Sequence, residues 1–241
     1  MASYDLSIQP DAGTSGRSLT RSHRMPEQNR ANPYCRVIRI KNDPSKVDEG
    51  TKIWTKELLP VLKKQKGFLG ATLTGSRRSG HALSVTYWES ETAMKEAREH
   101  THPKATAVLA ETGGRIVEDD ECEVAILERF QPAKAGVWLR VTTVQGDPAQ
   151  ADRAIANFRE TIIPSLKNQS GSRTALFFVN RQTGKTFAGS VWETEQDLQR
   201  SEAPIGELRL AAVKTFGGHD PRTEAFEIYF TEILTPAASK R

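Results

Sequence analysis

Cysteine is scarce in this chain: only Cys35 and Cys122 occur in 241 residues. Two cysteines with no CxxC or Cys/His spacing provide neither a disulfide framework nor a metal-binding motif, and they imply a reducing, cytoplasmic setting. Long apolar runs are also missing. None approaches the roughly 20 residues a membrane-spanning helix needs, and the first 33 residues have neither the apolar core of a signal peptide nor the arginine-rich, acid-free character of a transit sequence. A one-sided charge is absent too. The net charge is +4, but it comes from 34 basic and 30 acidic side chains that are finely interspersed. No basic footprint for nucleic acid or membrane results. The densest charge is acidic, "EDDECE" at 118–123, and such a run reads as a solvated turn. There is no GxGxxG or GxSxG, and "RQTGKT" at 181–186 lacks the glycine spacing of a phosphate loop.

What is present is a repeat. Residues 42–97 laid without a gap over residues 146–201 give 14 identities in 56 positions. They include Asp43-Pro44 with Asp147-Pro148, Pro60 with Pro164, Gly67 with Gly171, Gly80 with Gly184, and Trp88-Glu89 with Trp192-Glu193. Such a match over that length marks an internal duplication. Each copy opens with a β-branched strand, "CRVIRIK" or "VWLRVTTV". An Asp-Pro turn and a helix of about 18 residues follow, with apolar residues at three- and four-residue steps. Pro60 and Pro164 fall inside that pattern, where proline removes a hydrogen bond and crowds the preceding turn, so a kink or a fresh helical turn is expected there. Two strands joined by the hairpins "RRSG" and "RQTG" come next. Ser90 and Thr194 then cap a second helix, and a last strand closes each copy. The order is β-α-β-β-α-β, twice.

Five segments follow from this reading: a disordered leader at 1–33, poor in apolar residues; repeat one at 34–130; a linker at 131–135; repeat two at 136–234; and a flexible tail at 235–241. Trp88 and Trp192, at the same strand-to-helix corner of both copies, read as packing residues. His100 and His102, in "EHTHPK" where Pro103 interrupts the second helix, are the candidate catalytic groups, because a histidine on the inner helix edge can act as a general base or bind heme iron. At most one of the two can point inward. Arg39, Trp54 and Tyr87 are candidate substrate-binding residues, with Arg39 on the strand face of Val37 and Lys41. Copy two offers Arg140, Phe158, Phe177 and Ser190, and no helix histidine; of the two cavities, copy one is the choice for the working site.

The run of helix, "GFLGATL", hairpin and "SVTYWESETAMKEA" resembles the antibiotic biosynthesis monooxygenase domain of the dimeric α+β-barrel superfamily. The resemblance covers both copies, more closely the first. It implies an α+β protein in which two fused ferredoxin-like repeats close a pseudo-dimeric barrel within one chain, as a monomer or as a homodimer of such chains. It implies further a ligand cavity between a sheet face and its covering helices, and a cofactor-independent monooxygenase-like activity on an aromatic or quinol-type small molecule, with no metal. Whether the protein is an enzyme stays open at this point. The alternative is a non-catalytic small-molecule or heme-binding module. Heme-degrading members carry an Asn in the first strand, a Trp in the second helix and a His about ten residues later. Here Asn42 lies beyond the strand and Ala97 stands near the Trp position, so that pattern is not matched.

Overall fold

The computed structural model describes residues 32–233. The expected leader, but for its last two residues, and the expected tail lie outside them. Eight strands form one closed barrel in the order β1-β3-β2-β8-β5-β7-β6-β4, every neighbouring pair antiparallel. Copy one contributes β1 (Tyr34–Lys41), β2 (Phe68–Gly75), β3 (His81–Trp88) and β4 (Arg115–Arg129). Copy two contributes β5 (Trp138–Gln145), β6 (Ser172–Val179), β7 (Lys185–Trp192) and β8 (His219–Ile233). The copies join edge to edge twice, β2 with β8 and β4 with β6. Each copy thereby caps the open edges of the other.

Strand alternation divides the side chains into three cores. Cys35, Val37, Val124, Leu139, Val141, Phe178, Phe187 and Phe226 fill the barrel interior. Outside the sheet of copy one, Trp54, Leu58, Leu62, Trp88, Met94 and Val108 pack under its helices. Outside the sheet of copy two the counterparts are Phe158, Ile162, Leu166, Trp192, Leu198 and Val213. The hairpin turns use Gly80 and Gly184 at φ +69° and +76°. A side chain there would run into the backbone of Asn42 or Gly146 at about 2 Å, so glycine is required.

The first helical segment of each copy answers its proline in the same way. α1 (Val47–Ile53) and α2 (Leu59–Lys63) are separated by one π turn, Trp54–Leu58; α4 (Ala151–Asn157) and α5 (Ile163–Lys167) by another, Phe158–Ile162. The Leu59 and Ile163 amides donate five residues back, to the Trp54 and Phe158 carbonyls. Widening the turn just before Pro60 and Pro164 eases the ring past the preceding carbonyls, and both helices continue without a break.

Two expectations are corrected. Pro103 does not interrupt the second helix of copy one: α3 (Glu91–Ala110) runs on for 20 residues, held to the sheet by Ala97, Thr101, Ala105 and Val108. It is copy two that breaks, into α6 (Glu195–Arg200) and α7 (Glu202–Thr215) around Ser201. "EDDECE" is no turn but the middle of the 15-residue strand β4, where alternation sends Asp119 and Glu121 to the helix side and Glu118 and Asp120 to the barrel side. Cations meet both sets: Arg36 and Arg98 the first, Lys185, Arg39 and Arg222 the second. A strand can carry such a run because every acid finds a partner across it.

Candidate functional site

Each copy has a cavity between its sheet and its helices, at matching positions of the duplication. In copy one the cavity is about 30 Å³ and is lined by Arg36, Trp54, Thr86, Trp88, Thr101 and His102 among apolar neighbours that include Ile38 and Leu58. Its polar groups come from opposite sides. β1 supplies Arg36, which donates to Glu121 at 2.5 Å and reaches Asp119 at 3.4 Å. Burial lowers the Arg36 pKa from its ordinary value, while the two carboxylates act the other way. The π turn supplies Trp54, only 3% exposed, whose indole N–H has no partner. α3 supplies His102, whose Nδ1 is also buried and unpaired, 3.7 Å from Asp119 Oδ2, which is beyond hydrogen-bond length. Buried polar atoms are nearly always paired. Two unpaired ring nitrogens therefore belong to residues on the wall of this one cavity.

In copy two the cavity is about 60 Å³ and mostly aromatic and aliphatic, with Phe158, Ile162, Leu166, Phe177, Val213 and Phe216 on its walls. Phe158 and Phe177 meet at 5.2 Å between ring centroids. Arg140 occupies the place of Arg36. Because the helix breaks at Ser201, the Leu198 carbonyl is free to accept from Arg140 at 2.5 Å, and the Ser201 hydroxyl accepts at 2.7 Å. In copy one Ala97 stands where Ser201 does, the helix continues, and Arg36 turns to the acids of β4 instead. Asn157 Oδ1 is the unpaired polar atom of this cavity. Arg140 and Arg209 are the charged groups on its wall, where no histidine or carboxylate lies, and Glu202 meets both arginines from the rim, at 3.1 and 2.5 Å.

The residues expected from the sequence are brought together only in part. Trp54 and His102 share the copy-one cavity, and Arg140, Phe158, Phe177 and Ser190 share that of copy two. Trp88 and Trp192 are 2% and 0% exposed, and each indole N–H donates to the hydroxyl two residues earlier, Thr86 at 3.0 Å and Ser190 at 2.9 Å. His100 is on the exposed face of α3 and lines neither helix-side cavity. Arg39 and Tyr87 lie on the other side of the sheet. Arg39 faces the barrel end, bound to Glu224 at 2.5 Å, and Tyr87 stacks edge-on against Phe178 in the barrel interior. The reason is strand parity: the odd positions of β1 and β3 point inward and the even ones toward the helices. Sequence reasoning missed Arg36 and Asp119. The repeat carried the signal for Arg36, since the same offset pairs it with Arg140.

Heme does not fit these residues as they are packed. His102 lines the copy-one cavity, no histidine lines that of copy two, and a space of about 30 Å³ is far too small for a macrocycle. Among the described residues no group of His, Cys, Asp and Glu is placed to hold a metal ion, and no helix is long and apolar enough to cross a membrane.

Comparison with known proteins agrees with this architecture. An uncharacterized protein of Mycobacterium tuberculosis (strain ATCC 25618 / H37Rv) is 26% identical over 205 residues, covering 84% of this chain and 86% of its own. Among solved structures, one from Fusobacterium nucleatum superposes with a TM-score of 0.63 at 15% identity, covering 84% of this chain and 95% of that one. An anthrone oxidase-like protein superposes with a TM-score of 0.60 at 16% identity, covering 86% and 97%. At such identities these likenesses speak for the fold. Residues 33–108 match the family Antibiotic biosynthesis monooxygenase, a span that includes Arg36, Trp54, Trp88 and His102. The family match thus falls within copy one, and the chain as a whole has the fold of two ferredoxin-like repeats closed into one barrel.

Proposed function

We propose that the protein is a monooxygenase-type oxidoreductase acting on a small, electron-rich aromatic molecule of the quinol or anthrone kind, with copy one as the reacting site. The observation that carries this reading is the pair of unpaired ring nitrogens, Trp54 Nε1 and His102 Nδ1, on the cavity of the copy that matches the family. The roles follow from the chemistry. His102 accepts the proton whose loss makes the substrate electron-rich enough to reduce oxygen, and Asp119 stabilises the imidazolium. The Trp54 N–H and the Arg36 guanidinium stabilise the substrate oxyanion in a site walled from water. For an anthrone-type methylene the net reaction balances with dioxygen alone: one oxygen atom becomes the new carbonyl oxygen, and the other leaves as water with both methylene hydrogens. The methylene carbon is oxidised and dioxygen reduced, each by four electrons, so no cofactor is needed. A ring needs more room than the cavity has as packed. Ile40, Trp54 and Leu109 separate it from a second space of about 40 Å³, and the proposal requires the Trp54 indole to move so that the two join.

Oxygen uptake with anthrone and substituted hydroquinones tests the proposal. His102→Gln should lower kcat by about 100-fold or more, in the range of a lost general base, and His100→Gln, on the exposed face, should leave it unchanged. Equal loss in the two variants, or full activity in His102→Gln, would refute the assignment. Copy two favours binding without chemistry, since its cavity offers aromatic walls and an unpaired Asn157 oxygen but no base.

A further inference from the structure

A further cavity, of about 60 Å³, lies between the two sheets inside the barrel, away from the helix-side spaces. Its walls are apolar: Val37, Val85, Leu139, Val141, Leu176 and Phe187. The two ends of the barrel differ in kind. One is closed by an ionic network in which Arg39 reaches Glu224 at 2.5 Å and Glu118 at 3.3 Å, while Lys185 reaches Glu118 at 2.8 Å and Asp120 at 2.7 Å.

At the other end three cations, Arg129, Lys134 and Arg173, line the cavity, and no carboxylate does. Lys134 and Arg173 both hold Glu193. Arg129 is exposed and pairs with no carboxylate among the described residues. Deeper in, the phenol of Tyr87 faces the cavity near Thr72 and feels the charge of Arg129. Burial pushes that phenol above its ordinary value, so it stays protonated and able to donate.

The duplication provides an internal control. At the repeat offset, Tyr87, Arg129 and Arg173 correspond to Val191, Ile233 and Leu69. A homodimer of identical copies would carry the cations on both halves of the mouth. Here one half is cationic and the other apolar, and the connection between the copies, Pro132 to Lys134, lies against the cationic half. An apolar chamber with a single cationic side at its mouth matches a molecule that has one anionic end and one apolar end.

We propose that the barrel interior is a binding site for a short-chain amphiphilic carboxylate, its apolar tail between the sheets and its carboxylate at Arg129 with Tyr87 as a second donor. A charge-assisted contact of this kind is the strong polar term of such a site, and the tail gains by leaving water.

Titrating the full chain with hexanoate, with 1-hexanol as the neutral analogue, tests this by methyl NMR. Saturable shifts are expected for the barrel-facing methyls of Val37, Val85, Leu139 and Val141, but not for the helix-side methyls of Ile162, Leu166 and Val213. Arg129→Gln, at an exposed position, should weaken hexanoate binding about tenfold or more and leave hexanol as it was. Shifts confined to the helix-side methyls, no shifts at all, equal binding of hexanol, or unchanged binding in Arg129→Gln would each overturn the proposal.

Discussion

Arg36 and Arg140 show how one substitution elsewhere redirects a buried charge. Both sit at the same position of the repeat, both are nearly buried at 5% and 6% exposure, and burial lowers the pKa of both. Serine in place of alanine, Ser201 against Ala97, goes with the helix break that frees a carbonyl, and Arg140 takes it, with the Glu202 carboxylate of α7 3.1 Å away; Arg36, under an unbroken helix, takes the carboxylates of β4. The copies thus keep their cation while its anionic partner moves from strand to helix. The corner tryptophans diverge less. Trp88 fills its core and satisfies its N–H on Thr86. Trp88→Ala should cost about 3–5 kcal/mol of unfolding free energy, the usual range for a large core aromatic, measured by urea denaturation, and Trp88→Phe should recover much of it. A loss below about 1 kcal/mol for the alanine variant would mean that the indole is not packing the corner.

Among the elements, β4 works hardest, because its two faces serve two different tasks. Its helix-side acids set the surroundings of His102, and its barrel-side acids tie down one end of the barrel. Burial alone would raise the Glu118 pKa, but hydrogen bonds from Lys185 and Arg222, with their charges, outweigh it and bring it from the ordinary 4.5 to about 2. A carboxyl depressed on folding stabilises the folded state fully above its unfolded value and loses that contribution as pH falls through the folded one. The stability contributed by Glu118 should therefore be level above about pH 5 and decline between about 4.5 and 2. Glu118→Gln should flatten that part of an acid-unfolding profile followed by near-UV circular dichroism. A profile identical to that of the parent between those values would show that the network stabilises nothing. The π turns are the other element with a task. Each places a large aromatic, Trp54 or Phe158, at its first position and on the cavity wall.

At the scale of the whole molecule, neither repeat is complete by itself. Copy one alone would expose the edges of β2 and β4 and the inward faces of Val37, Val85 and Val124, all covered by copy two in the chain. Unpaired edges over an apolar face are an association hazard. Residues 32–130 expressed alone should therefore dimerise or aggregate in size-exclusion chromatography with light scattering, while the full chain unfolds in one transition seen identically by far- and near-UV circular dichroism. A stable, monomeric, folded single repeat would refute the interdependence.

The sequence alone was sufficient for the duplication, the order of elements, the hairpins and the family resemblance, because these rest on local rules: glycine at positive φ, a cap before a helix, alternation in a strand, and a fixed offset between copies. It could not assign strand faces. In this barrel both faces of the central strands are covered, by the opposite sheet inside and by helices outside, so β1 is buried at all six of its central residues, and alternation that would otherwise separate core from solvent separates only one core from another there. For that reason Arg39 and Tyr87 were cavity candidates and Arg36 was passed over until the strands were closed into a barrel. The acidic run of β4 resembled a solvated turn for a related reason. Most of its partners, Arg36, Arg39, Lys185 and Arg222, lie 65 or more residues away in sequence, and only tertiary pairing makes a strand of it.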